Sequence, residues 1–142
     1  MEMVKLTDEI KKMIGERKDV AFIATVDAEG RPNLSCKGSF SVLDDETLWY
    51  VEGTGKKTYE NLKKNPYVAV AIANREKLDG YQIKGKAELL TEGLLYENAV
   101  KSIEARSRRL GAELPRPRAA VRIKVDEIYS LKPGSMAGEK IA

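Results

Sequence analysis

The sequence predicts a mainly β protein, a small antiparallel barrel of six strands with short helices attached. Three observations carry that expectation. Short runs of strand composition recur along most of the chain. Gly, Asp and Asn turn signals separate them, as between consecutive antiparallel strands. Helical patterns are few and do not alternate with strands, which argues against a parallel sheet built from βαβ units.

Leu6, Ile10, Met13 and Ile14 fall at i, i+4, i+7 and i+8, one face of a first helix. Thr7 can cap it, and Asp8 and Glu9 suit its first turn, where acids complement the dipole. Residues 20–26 (VAFIATV) read as the first strand, ended by a turn at Asp27 to Gly30. Residues 32–43 suit a second strand, broken locally by Gly38, and Asp44 to Glu46 make the next turn. Residues 47–51 (TLWYV) form the third strand. A short helix over 57–64 follows, and Asn65-Pro66 stops it. Residues 67–72 and 81–90 are the fourth and fifth strands, the latter alternating around Gly85. The longest helix spans 92–110 with Leu95, Ala99, Ile103 and Leu110 along its apolar stripe. A Pro-Arg-Pro loop at 115–117 enters the last strand, 119–125, which continues weakly through Ile128 and Tyr129. Phe22, Phe40, Trp49 and Tyr50 fall mostly in core contexts.

At 142 residues the expectation is one domain, 1–142, with 42% hydrophobic and 33% charged residues, a composition of globular rather than disordered chains. A net charge of +3 is too small to imply nucleic acid. No apolar run approaches the roughly 18 residues of a membrane span. The N-terminal segment mixes both charge signs, unlike an export signal, so a cytoplasmic location is expected. His is absent, which removes His-based acid–base catalysis, Ser-His-Asp triads and axial-His haem. The single Cys36 allows no intrachain disulfide and no Cys-rich zinc site, and it is expected to pack as a small apolar residue. Redox or group-transfer chemistry would therefore come from a cofactor.

Glu52-Gly53-Thr54-Gly55-Lys56-Lys57-Thr58 joins the third strand to a helix. It is not a Walker A loop, because Gly55-Lys56 is followed by Lys57, and it lacks the third glycine and βαβ context of a dinucleotide fingerprint. The residues still suit an anion: glycines permit close backbone approach and a helix start presents free N–H groups. Lys56 and Lys57 add charge, and Thr58 adds a hydroxyl. An ordinary glycine turn before a solvated basic helix fits the same residues. Lys37-Gly38-Ser39 has two readings as well, a ligand-facing break in a strand or a bend of the barrel. Five of the nine arginines lie between Arg106 and Arg118, as a solvated helix end, a phosphate clamp or, least well supported, a nucleic-acid patch.

The ordered set Ala24-Thr25, Asp27-x-x-Gly30-x-Pro32-Asn33, Asp45-x-Thr47-Leu48 and Lys57-Thr58-x-x-Asn61-Leu62-x-x-Asn65-Pro66 resembles the FMN-binding split-barrel family. That family includes the pyridoxamine 5′-phosphate oxidase-like proteins, and the likeness runs from about residue 18 to 131. The resemblance implies a six-stranded, Greek-key-like split barrel that forms a homodimer with FMN at the subunit interface. It implies that Lys57 and Thr58 hold the FMN phosphate beside Lys56, and that Asn61 supports their turn. Cys36, Lys37, Gly38 and Ser39 would lie along the ribityl chain and ring, and Val51, Glu52 and Gly53 beside the isoalloxazine. Arg118 matches a position that reaches the cofactor from the partner subunit, and Arg116 stands where some relatives place an aromatic over the ring. An Arg/His-bearing tail like that of true pyridoxamine 5′-phosphate oxidases is not recognised after the last strand, so turnover of that substrate is not expected. The implied function is an FMN-dependent oxidoreductase of unknown substrate, with no catalytic side chain assigned, no metal, and no nucleic-acid or membrane partner. The alternatives are a non-enzymatic FMN-binding electron carrier and a reductase using the deazaflavin F420, whose acidic tail would suit the arginine cluster.

Overall fold

The computed structural model describes residues 4–142. Helix α1 (Asp8–Glu16) starts where its cap places it, with Thr7 Oγ1 accepting from the Ile10 N–H at 3.2 Å. Strands β1 (Ala21–Val26), β2 (Pro32–Lys37), β3 (Ser41–Asp44) and β4 (Thr47–Glu52) follow. Then come α2 (Lys57–Lys64), β5 (Tyr67–Asn74), β6 (Asp79–Leu90), α3 (Leu94–Leu110) and β7 (Ala119–Ser130). The β1–β2 turn is an Asx turn: Asp27 Oδ1 accepts from the N–H groups of Glu29 and Arg31, and Gly30 takes φ +81°.

All seven strands form one antiparallel sheet in the order β2-β1-β5-β6-β7-β4-β3. That order alone requires closure. Laid flat, seven strands would put β2 and β3 about 29 Å apart. Only residues 38–40 connect them, and such a link reaches about 14 Å. The sheet therefore curls until its edges meet across a seam, which makes it a split barrel. The expected single strand over 32–43 is thus two strands at opposite edges, and the count is seven rather than six. Phe40 anchors the crossing: it is buried, with its ring centre 4.8 Å from that of Tyr50.

Inward side chains alternate along the strands, including Ile23, Leu48, Val70, Ile83 and Ile123, and Ile10 and Ile14 of α1 complete the main core. A second small core lies on the other side of the wall. There α3 presents Ala99 to Val51 and Ala120, with Trp49 and Ile103 at its margin. β4 pairs only with residues 119–124 of β7. The segment after β7 folds back over the remainder, with Ile141 N–H donating to Ile128 O at 2.7 Å. No helix among the described residues is long and apolar enough to cross a membrane. Two aromatic and sulfur placements differ from expectation. Phe22 is 45% exposed and Cys36 is exposed, because both sit on the outer face of the β1–β2 pair, opposite each other in register.

Candidate functional site

The seam brings together the ends of β2 and β4. β3 pairs with β4 only from Thr47 to Trp49, so Tyr50 to Glu52 have no strand neighbour on that side. The end of β2 fills the place. Lys37 Nζ lies 2.9 Å from Glu52 Oε2, and the Val51 N–H donates to Ser39 Oγ at 3.0 Å. Glu52 is 1% exposed and shares the inward face of β4 with Leu48 and Tyr50. Its second carboxylate oxygen, Oε1, is buried without a hydrogen-bond partner among the described residues, and so is the Tyr50 hydroxyl. Gly38 is held from the other side, its carbonyl accepting from Arg17 Nη2 at 2.9 Å.

Burial, and then the charge of Glu52, push the Tyr50 phenol far above the usual phenol range. A raised phenol stays neutral in the folded state while the unfolded chain ionises near pH 10, so its contribution is full below that pH and is lost above it. Alkaline denaturation should therefore be blunted in Tyr50→Phe, which deletes the ionising group and an unpaired hydroxyl together. Equal loss of stability above pH 10 in both proteins would refute this role of Tyr50.

Beyond β4 the chain turns through Gly53, which is half-buried, and Gly55, which takes φ +65°. A Cβ on Gly55 would lie 2.7 Å from Cγ of Arg118, so glycine is what lets Arg118 lie along this loop. The Arg118 guanidinium stacks 4.7 Å from the centre of the Tyr59 ring, and its backbone N–H donates to Glu52 O at 2.9 Å. Helix α2 begins directly after. No side chain caps it, so the N–H groups of Lys57, Thr58 and Tyr59 have no intrahelical acceptor. Lys56 and Lys57 are exposed, and neither they nor Arg118 has a carboxylate within 4.0 Å among the described residues.

Thr58 and Asn61 are buried between α2 and the barrel. Asn33 Nδ2 donates to Thr58 Oγ1 at 3.5 Å, and Asn61 Nδ2 donates to the buried Thr25 Oγ1 at 3.0 Å. Asn61 therefore ties α2 to β1. The predicted set gathers in three linked places: Lys37, Ser39, Val51 and Glu52 at the seam, Gly53 to Thr58 at the helix start, and Arg118 between them. Cys36 is separate, on the outer face. Tyr59 and Tyr96 were missed by sequence reasoning, since one aromatic in a helical turn carries no signal of the cation it will support. The clefts beside α1, of about 550 and 740 Å³, touch the predicted set only at Gly38 and Ser39.

A phosphomonoester fits what the helix start offers: N–H groups with no intrahelical acceptor, and Lys56, Lys57 and Arg118 with no carboxylate within 4.0 Å among the described residues. The seven-stranded antiparallel sheet with its three attached helices defines the class as a split barrel. The chain belongs to the pyridoxamine 5′-phosphate oxidase family, whose model matches residues 6–132. It is 37% identical over 142 residues to an uncharacterized protein of Methanocaldococcus jannaschii, covering 99% of this chain and 90% of that one. A crystal structure of HupZ from Group A Streptococcus superposes with a TM-score of 0.78 at 38% identity, covering 94% and 99% of the two chains. An FMN-binding protein of Syntrophomonas wolfei shares the fold at 18% identity, with a TM-score of 0.71 over 85% and 82% of the chains.

Proposed function

We propose that this chain binds FMN and works as a flavin-dependent oxidoreductase in the form of a homodimer. The observation that carries the reading is the uncapped start of α2 behind Gly55, flanked by Lys56, Lys57 and Arg118 with no carboxylate within 4.0 Å among the described residues. In this reading Lys57 and the first amides of α2 hold the phosphate, and Thr58 donates its hydroxyl proton to it. Arg118 offsets the second phosphate charge. The strand ends Lys37 to Ser39 and Val51 to Gly53 lie along the rest of the cofactor, and Asn61 holds α2 against β1. The isoalloxazine, when bound, supplies hydride transfer, and the protein supplies binding and orientation. The FMN-binding neighbour from S. wolfei supports the cofactor class, and a neighbour that is an F420 reductase makes the deazaflavin the alternative ring.

The test is the purified protein itself. It should be yellow, or become so with added FMN, and release FMN on denaturation; a deazaflavin would be told apart by its absorption spectrum and mass. Protein that neither carries nor takes up either compound would overturn the reading. Rapid reduction of the bound flavin by a defined small donor would favour an enzyme over a protein-coupled electron carrier.

The dimer has its own support. Phe22 (45% exposed), Leu34 (71%) and Tyr67 (60%) share one outer face of β2, β1 and β5 with Cys36, Ala24, Ala69 and Ala71. Contiguous apolar surface of this kind marks an interface, and an obligate one buries about 2,000 Å² or more. Light scattering at micromolar concentration should give a dimer, and Leu34→Glu should shift it toward monomer. A wild-type monomer that is fully loaded with flavin would contradict the proposal.

A further inference from the structure

The five arginines between residues 106 and 118 separate in the structure. Arg106, Arg108 and Arg109 are exposed on the last turns of α3, where Gly111 closes the helix in the left-handed conformation at φ +65°. Arg116 and Arg118 stand apart from them. They flank Pro117, which is buried while both arginines are exposed, so the two side chains lie on the outer side of one short segment. The segment is tied at both ends. The Tyr96 hydroxyl donates to Pro117 O at 2.9 Å, and the Arg118 N–H donates to Glu52 O at 2.9 Å.

Arg116 is held in turn. Its Nε donates to the Tyr96 hydroxyl at 3.1 Å, and its guanidinium carbon lies 5.5 Å from the centre of that ring. Tyr96 is itself buried, so it is a fixed support rather than a floppy surface group. The side-chain entropy of Arg116 is thus largely spent before any ligand arrives. Yet the guanidinium meets no carboxylate within 4.0 Å among the described residues, and its two terminal nitrogens have no hydrogen-bond partner there. A rigid, unpaired fork matches the planar geometry of a carboxylate or phosphate.

We infer that Arg116, positioned by Tyr96, is a second anion-binding residue, which reads a phosphate or carboxylate group distinct from the phosphate at the start of α2. The inference rests on the flavin reading for its neighbour but not for its own geometry. Arg118, which lies against Gly55 and over Tyr59, serves the first, while Arg116 selects for a ligand with a further negative group. That group belongs either to an anionic substrate beside the flavin or to an anionic extension of the cofactor itself.

Calorimetric titration separates these cases. FMN-saturated wild-type protein, titrated with inorganic phosphate and with citrate at low salt, should take up one further anion per protomer. Arg116→Gln should weaken that uptake roughly tenfold or more, while its FMN dissociation constant moves by less than about threefold. Tyr96→Phe keeps the ring but removes the hydroxyl that orients Arg116, and should fall between the two. Replacing FMN by FAD tests the other source. Tighter binding of FAD than FMN that disappears in Arg116→Gln places the anion on the cofactor. Equal binding of the two flavins, with Arg116-dependent uptake of phosphate or citrate, places it on a substrate. Wild-type protein that shows neither effect, or Arg116→Gln that behaves as wild type in both, overturns the inference. Should no flavin bind at all, the flavin reading fails by itself, and titration of unloaded protein still separates an Arg116-dependent site from a Lys57-dependent one.

Discussion

The Lys57→Ala/Thr58→Ala variant is expected to lose on the order of a hundredfold or more in FMN affinity while its affinity for riboflavin hardly changes. The start of α2 has N–H groups with no intrahelical acceptor and two exposed lysines with no carboxylate within 4.0 Å among the described residues, so a doubly charged phosphate is what it complements best. Thr58 is buried against Asn33, but that contact uses its oxygen as acceptor and leaves the O–H to donate. Each charge-assisted bond is worth about 1.5–3 kcal/mol, and two of them give the expected factor. Riboflavin lacks the phosphate, so the four dissociation constants form a cycle that isolates the phosphate contribution. Equal losses for FMN and riboflavin would mean that the two residues support the fold or the ring, and the phosphate assignment would be wrong.

The second large effect is expected at the seam. Lys37→Met removes the partner of a carboxylate that is 1% exposed and already has one oxygen unsatisfied. Breaking a buried pair in this way costs about 3–5 kcal/mol, because the remaining charge is neither solvated nor paired. The pair also joins the two edges of the sheet, so its loss should fall on barrel closure. Neutralising both ends, as Lys37→Met/Glu52→Gln, should recover more than half of the lost stability in chemical denaturation of flavin-free protein. If single and double variants were equally destabilised, the packing of Lys37 rather than the charge of Glu52 would be the cause.

Local signals in the sequence were read correctly where short-range physics decides the outcome. Thr7 ahead of an amphipathic run made the cap of α1, Asp27 to Gly30 made an Asx turn, and Asn65-Pro66 ended α2. The order of motifs from Thr25 to Pro66 was also enough to place the chain in its family, because each motif serves a turn or a helix end of fixed geometry. The run from Pro32 to Leu43 has a strand composition that is continuous across Gly38, and nothing local says that its halves lie at opposite edges of a sheet.

The β-rich class, the turns and caps, and the glycine–lysine turn ahead of α2 are all legible in the sequence alone. Each of these depends on residues within about four positions of one another, through hydrogen bonds and backbone preferences that do not need the rest of the chain. Long-range packing sets the closure of the barrel with seven strands, the meeting of Lys37 with Glu52 across the seam, and the outward placement of Cys36 and Phe22. It alone brought Arg118 onto Tyr59 beside Gly55 and Arg116 onto Tyr96. Those pairings join residues 15 to 63 positions apart, and they follow from strand order and curl, which emerge when the whole sheet buries its inward face at once.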